Sequence, residues 1–131
     1  MDDNDQALQV EILAAALHSD RKESKSTIEY LAKRFEAMLP DHTTVVRGGW
    51  LLSSNKPVKE LKIEFDDFHY LLNSDRQGVS GRELKIVRGV VLKSREVSLE
   101  EWINLVADAL MKYAEKNAAT RQALSDFLIG R

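Results

Sequence analysis

The sequence predicts an α+β domain in which helices at both ends of the chain pack on one face of a four-stranded antiparallel sheet. In the first 40 residues, and again after residue 98, apolar side chains recur every three or four positions, the spacing that places them on one helical face. Between residues 43 and 95, β-branched and aromatic residues alternate with charged ones, as in half-buried antiparallel strands. The 131 residues are the length of one ordinary domain, so we expect residues 1–131 to share a single core.

Two helices are predicted at the N-terminus. The first begins after Asp3 or Asn4, either of which can cap it. Its apolar residues cover an unusually wide arc: Leu8, Val10, Ile12, Leu13, Ala15, Ala16 and Leu17. A helix of this kind sits between two surfaces or packs against a second copy of itself. It is therefore the first indication of a homodimer.

The second helix is predicted from a capping box, in which Ser26 is followed three residues later by Glu29. Its apolar face has nearly ideal helical spacing: Ile28, Leu31, Ala32, Phe35, Met38 and Leu39. Pro40 prevents the helix from continuing. The polar run at residues 19–26 is either a connection or the solvated middle of one long helix over residues 5–39, and the capping box favours two helices.

The first three strands are predicted at residues 43–52, at Val58–Phe65 and from Phe68 to Leu72. Gly48 and Gly49 indicate a bulge, a sharp bend or a close approach of another backbone in the first strand. A two-residue turn at Asp66 and Asp67 would join the second and third strands. Three apolar pairs would then share one face: Phe65 with Phe68, Ile63 with Tyr70, and Leu61 with Leu72. Residues 73–81 are rich in glycine and polar residues and are predicted to be a flexible loop.

The fourth predicted strand contains a conflict at Arg88, which precedes Gly89 in mid-strand just as Arg47 precedes Gly48. Arg88 shares the strand parity of Leu84 and Ile86, so a regular strand would bury its guanidinium at high cost. A bulge at Gly89 could turn the side chain outward, or a carboxylate such as Asp108 or Glu101 could pair with it. In the third alternative, Arg88 points into a cleft and meets an anion from another molecule.

A long C-terminal helix is predicted from the strongest local signature in the chain. Ser98 would cap it with Glu101 at the third helical position, and Val97 with Trp102 would form a hydrophobic staple. The apolar pattern weakens over residues 116–121. A break near residues 117–120 is consequently expected, followed by a short last helix.

Charge is distributed unevenly along the chain. Residues 1–42 carry five basic and nine acidic side chains (net −4), residues 43–95 carry ten and six (net +4), and residues 96–131 carry four and six (net −2). A basic sheet between acidic helices can steer an anionic or acidic partner to one face. The candidate binding residues are Arg88, Arg47, Lys62, Arg82, Lys85 and Lys93.

No motif for catalysis or for cofactor binding is found in the sequence. His18, His42 and His69 lie in different predicted elements without metal-ligand spacing, and there is no cysteine. The chain has no nucleophile elbow, dinucleotide fingerprint or phosphate-binding loop. We therefore expect no catalytic residue, no metal and no cofactor, and we expect that the protein is not an enzyme.

The localisation is predicted to be cytoplasmic, in a bacterium. No stretch approaches the ~20 apolar residues that a membrane span requires, and the first residues, MDDNDQ, are acidic where a signal peptide would be basic. The absence of cysteine fits a reducing compartment. We expect no association with membranes.

Two functional hypotheses follow from these patterns. The first is a homodimeric protein-interaction or adaptor module whose partner is unknown. The less favoured alternative is a nucleic-acid-binding module that uses the basic sheet, with phosphate contacts from Lys59, Lys62, Arg76, Arg82, Lys85 and Lys93. In topology and composition the predicted chain is similar to type III secretion chaperones, which are acidic dimers, and to the YbaB-like nucleoid proteins. No diagnostic motif supports either similarity.

Overall fold

The computed structural model describes residues 24–49 and 56–129. They form an α+β structure with a five-stranded antiparallel sheet in which strand order follows chain order, so that β1 and β5 are the edges. The elements are α1 (Ser24–Met38), a 3-10 helix (Pro40–His42), β1 (Thr43–Arg47), β2 (Val58–Phe65), β3 (Phe68–Asp75), β4 (Gly78–Val87), β5 (Val90–Val97), α2 (Leu99–Lys116) and α3 (Ala118–Leu128).

The second of the two predicted N-terminal helices is present as α1. Its predicted apolar face is buried, with Leu31, Ala32 and Phe35 fully enclosed. The prediction that Ser26 caps this helix is wrong, because Ser26 lies inside a helix that already includes Ser24. Lysine is a good helix former, so the helix can begin before Ser26. The first predicted helix, and with it the dimer contact that it suggested, lies outside the described residues.

The hairpin of β2 and β3 has the predicted register. Phe65 is opposite Phe68, and the pairs Ile63 with Tyr70 and Leu61 with Leu72 follow on the same face. All of these side chains except Phe68 are buried. The alternation of burial along β2 confirms that one face of the sheet carries the core.

The sheet has five strands where four were predicted, because a turn at Arg88 and Gly89 divides the fourth predicted strand into β4 and β5. The predicted loop before it is also shorter than expected. Residues 73–81, predicted as a loop, belong instead to β3, to a turn at Arg76 and Gln77, and to β4. Asp75 Oδ1 accepts a hydrogen bond from the Gln77 N–H at 2.8 Å, and Gly78 has a φ of 130°, which only glycine adopts easily. The polar residues of this segment are compatible with strands because one sheet face carries no helix among the described elements.

Arg88 and Gly89 form the turn between β4 and β5, so their predicted position in mid-strand is wrong. Their φ values are 53° and 79°, the left-handed conformation at both central positions that a primed hairpin turn requires. Arg88 is exposed, and neither predicted carboxylate is its partner. Asp108 pairs with Lys112 at 2.9 Å, and Glu101 pairs with Arg95 at 3.0 Å.

Strand β1 ends at Arg47 and is shorter than the predicted strand at residues 43–52. Residues 50–52 of that prediction lie outside the described residues. The register of β1 against β2 shifts between Val46 and Arg47, immediately before the two glycines. Gly48 then donates its N–H to the Pro57 carbonyl at 3.0 Å. The predicted irregularity at the glycines is therefore present as a bulge next to them.

The C-terminal region has the predicted cap and break. Ser98 Oγ accepts the Glu101 N–H at 3.1 Å at the start of α2, and Asn117 Oδ1 accepts the Thr120 N–H at 2.9 Å at the start of α3. Helix α2 crosses the sheet obliquely. Trp102, near its start, lies against β4 and β5, whereas Tyr113, near its end, contacts Phe65 of β2 with ring centroids 5.5 Å apart.

A single cluster contains the buried apolar residues of the described chain, contributed by α1, the sheet, α2 and α3. Helix α3 also contacts α1, where the Arg34 guanidinium lies 4.4 Å from the centre of the Phe127 ring. Within residues 24–49 and 56–129, no helix has the length and apolar character needed to cross a membrane.

Candidate functional site

The six cations predicted to bind a partner divide into two groups of three. One group is paired with glutamates of the chain itself: Arg47 with Glu29 at 3.2 Å, Lys62 with Glu64 at 3.0 Å, and Arg82 with Glu96 at 3.3 Å. Arg47 also donates to the Lys56 carbonyl and Arg82 to Ser94 Oγ. Arg47 and Arg82 are exposed and Lys62 is half-buried, and the charges of all three are partly neutralised within the fold.

Lys62 and Arg82 lie on the opposite face of the sheet from Lys85 and Lys93. The pairing register places Lys62, Leu71 and Arg82 in one cross-strand row, on the face away from the helices. Lys85 lies opposite both Phe68 and Lys93, on the helix-bearing face. The six residues therefore do not form one basic surface.

The remaining three cations, Lys85, Arg88 and Lys93, lie together at the end of the β4–β5 hairpin. Lys85 and Lys93 are direct cross-strand partners, an arrangement in which two like charges face each other at a cost. None of the three forms an ion pair in the part of the chain that the structure describes. We call residues 85–93 the basic tip.

The basic tip also carries exposed apolar side chains. Val90, Val91 and Leu92 are 59%, 51% and 58% exposed, and Val87 is also exposed. A register shift between Lys85 and Ile86 interrupts the regular alternation here. Helix α2 packs over the other end of the hairpin, where Val97 is buried, and leaves the tip uncovered.

Two carboxylates lie beside the basic tip. Asp66 and Asp67 form the turn between β2 and β3, and the Ile86 N–H donates to the Asp67 carbonyl at 2.7 Å. Both aspartates are exposed, and neither has an ion-pair partner among residues 24–49 and 56–129. We call this pair the acid turn; it places negative charge next to positive charge at one end of the sheet.

An open cleft of about 320 Å³ lies between this end of the sheet and helix α2. Its aromatic lining comes from Phe65, Phe68, Tyr70 and Tyr113. Its charged lining comes from both aspartates of the acid turn together with Glu83, Asp108, Lys112 and Lys116. The cleft thus has apolar walls and a net acidic lining, and Phe68 on its floor is the cross-strand neighbour of Lys85 in the basic tip.

The carboxylate of Glu83 is held in place by Arg95. It accepts a hydrogen bond from Arg95 at 3.0 Å, and Arg95 also reaches Glu101 at 3.0 Å. Glu83 lies directly opposite Tyr70 in the pairing of β3 with β4. Burial of the phenol, reinforced by the charge of Glu83, raises the pKa of Tyr70 far above its ordinary range. The three groups form a structural network at the floor of the cleft.

The raised pKa of Tyr70 predicts a pH dependence of stability. The unfolded chain releases the phenolic proton at a pH of about 10, whereas the folded chain retains it. The stabilisation is thus complete below a pH of about 10 and is lost as the pH rises further. We expect the free energy of unfolding to fall less steeply above pH 10 in Tyr70→Phe than in the wild type, measured by urea unfolding from pH 8 to pH 11.5. Identical slopes would contradict this assignment.

Two carboxylates of the cleft are held in ion pairs. Glu83 and Asp108 are engaged by Arg95 and Lys112, and no cluster of three potential metal ligands occurs within the described ranges. The ring of His42 packs edge-on against Tyr113 at 4.9 Å, and its Nδ1 lies 2.7 Å from the Glu64 carbonyl, so these contacts fix the imidazole beside the cleft.

Sequence reasoning missed the exposed valines of the basic tip, because it placed them inside one long strand. Arg88 and Gly89, flanked by Val87 and Val90, are compatible with a two-residue hairpin turn, but asparagine or aspartate is the residue favoured before the glycine, so the local signal is weak. With that turn in place, Lys85 and Lys93 could have been recognised as a facing pair.

Comparison of the chain with protein-family models, with curated proteins and with solved structures finds no significant match.

Proposed function

We propose that the protein is a non-enzymatic protein-interaction module whose contact surface combines the basic tip, the acid turn and the rim of the cleft. The observation that carries the proposal is the coincidence, on one projecting hairpin end, of unpaired cations with the exposed apolar side chains of Val90, Val91 and Leu92. Protein interfaces combine an apolar centre with a polar and charged rim.

The cost of the arrangement supports a role outside folding. Lys85 and Lys93 face each other across the hairpin without a carboxylate between them, and the neighbouring apolar side chains gain nothing from exposure to water. Facing like charges and exposed apolar side chains that the fold does not require are typical of a functional surface. A partner with carboxylates and an apolar contact would relieve both costs.

The acid turn favours a protein over a nucleic acid as this partner. Asp66 and Asp67 lie directly beside the basic tip, where the Ile86 N–H donates to the Asp67 carbonyl at 2.7 Å. A phosphate backbone approaching the three cations would also meet this negative charge. A protein surface can carry charges of both signs in matching positions.

We expect a photo-reactive amino acid at position 91 to form covalent protein adducts in cells, whereas the same group at the exposed position 33 of α1 does not. Adducts should be degraded by protease and not by nuclease. They should disappear when Lys85→Glu and Lys93→Glu are combined, and persist with the matched surface change Lys33→Glu. The absence of adducts at position 91, or their persistence in the double variant, would contradict the proposed surface.

The second candidate function is nucleic-acid binding, which the three unpaired cations of the basic tip favour. A mobility-shift experiment with a 30-base-pair duplex at ~50 mM salt tests it, because phosphate contacts are strongest at low salt. Binding that Lys85→Glu abolishes would support this alternative. The absence of a shift at low salt would remove it.

A further inference from the structure

We infer that the partner of this surface is a second copy of the chain, with the basic tip of each copy docked against the acid turn and cleft of the other about a two-fold axis. The inference rests on the proposed function and specifies its partner.

The two halves of such an interface are adjacent on one molecule. A two-fold contact uses the same patch on both copies, so that patch must be complementary to itself. The basic tip and the acid turn are joined by the hydrogen bond from the Ile86 N–H to the Asp67 carbonyl at 2.7 Å. A two-fold axis that passes between them brings each basic tip opposite the acid turn of the other copy.

The charges match in kind and are available. Lys85, Arg88 and Lys93 supply three positive charges, and Asp66 and Asp67 supply negative charges that make no ion pair in the described ranges. The other three candidate cations of the sheet, Arg47, Lys62 and Arg82, form ion pairs within their own chain. Complementary charge of this kind sets orientation and excludes other registers.

The cleft of the other copy also offers an apolar surface for the basic tip. The cleft behind the acid turn, with a volume of about 320 Å³, is lined by Phe68, Leu105 and Ala109 among its apolar residues. Val90 is 59% exposed and pairs with Val87 on the helix-bearing face of the sheet, so it is an apolar side chain of the basic tip that this cleft can receive. A specific interface buries roughly 800 Å² on each partner, which requires the tip, the acid turn and the cleft rim together.

Charge exchange between two variants gives a sharp test. One variant combines Lys85→Glu with Arg88→Glu, which makes the tip acidic. The other combines Asp66→Lys with Asp67→Lys, which makes the turn basic. In each variant alone, like charges would face each other, and in a mixed dimer both contacts would again join opposite charges.

We expect the wild-type chain to dimerise in sedimentation velocity at concentrations up to ~200 μM in low salt. Each double variant should dimerise at least about tenfold more weakly, because like charges across an interface are repelled. An equimolar mixture should form the mixed dimer, identified by its mass in native mass spectrometry, with an affinity within about threefold of the wild type. A monomeric wild type, dimeric single species or a mixture that does not associate would overturn the inference.

Lys93→Glu provides a variant that keeps the experiment interpretable if a charge exchange perturbs folding. It replaces a like-charge cross-strand pair by an opposite-charge pair with Lys85, so the isolated chain should melt at the same or a higher temperature. Dimerisation should nevertheless weaken, because one positive charge of the tip is reversed. Weaker dimerisation together with unchanged or higher stability supports docking by the tip, and unchanged dimerisation contradicts it.

The outcomes also separate this inference from the proposed function. A monomeric chain whose position 91 still forms protein adducts would leave the interaction surface in place and remove the second copy as its occupant. A monomeric chain without adducts would remove both.

Discussion

Replacing Trp102 with alanine is expected to lower the free energy of unfolding by about 3–5 kcal/mol, the usual cost of emptying a large core position. Trp102 is fully buried, and both its side chain and that of Val97 lie close to Gly81, where α2 meets the sheet. The large-to-small change would leave a cavity between them that the rigid sheet cannot close. Urea unfolding followed by far-UV circular dichroism measures the loss independently of tryptophan fluorescence.

Two variants control this expectation. Trp102→Phe keeps most of the volume, and it removes an indole N–H that has no acceptor among residues 24–49 and 56–129, so it should cost much less than the alanine change. Val46→Ala truncates an apolar side chain that is 47% exposed on an edge strand and should change stability by less than about 0.5 kcal/mol. A similar loss for Trp102→Ala and Val46→Ala would show that α2 is not anchored by the tryptophan.

The second large effect is expected for Gly81→Val, which should destabilise the fold by about 1–3 kcal/mol through overpacking. A Cβ at position 81 would lie 3.0 Å from Trp102 Cδ1 and 3.1 Å from Val97 Cγ2, and the two further methyl groups of valine would increase the overlap. The backbone at Gly81 does not have a positive φ, so the effect is one of space and not of backbone strain.

Ser80→Val is the matched control for this substitution. Ser80 is the preceding residue of β4, is exposed, and faces the opposite side of the sheet. The added side chain has the same β-branched character and favours strands, so stability should stay within about 0.5 kcal/mol. Equal effects at both positions, measured by thermal unfolding, would contradict the close packing of α2 on β4.

Gly81 and the basic tip show how one hairpin can serve two purposes. At one end, the small residue lets Trp102 approach the sheet, which ties β4 and β5 to the core. At the other end, the hairpin extends beyond α2, and its side chains contribute little to folding. Substitutions at the tip are therefore expected to change association with little loss of stability.

Local chemistry determined much of the fold from the sequence. The two-residue turn at Asp66 and Asp67, the cap at Ser98 and the break at Asn117 were all predicted, because alternation, capping residues and polar interruptions act between neighbours in the chain. The same reasoning failed where one pattern fits two structures. A strand with a central bulge and a tight hairpin have the same alternation of apolar residues, and only the fold decides between them.

Tertiary structure decided the candidate site. The sequence by itself determined that the six candidate basic residues lie in a predicted sheet region with net positive charge. It did not determine which of them would form an ion pair with a carboxylate. Glu29 reaches Arg47 from a helix 18 residues away in the chain, and Glu96 meets Arg82 across β4 and β5. Lys85, Arg88 and Lys93 make no ion pair within residues 24–49 and 56–129, because the β4–β5 turn carries them away from the part of the hairpin that α2 covers and beside the acid turn. Ion pairing depends on distance in space, and that distance is set only when the strands are paired.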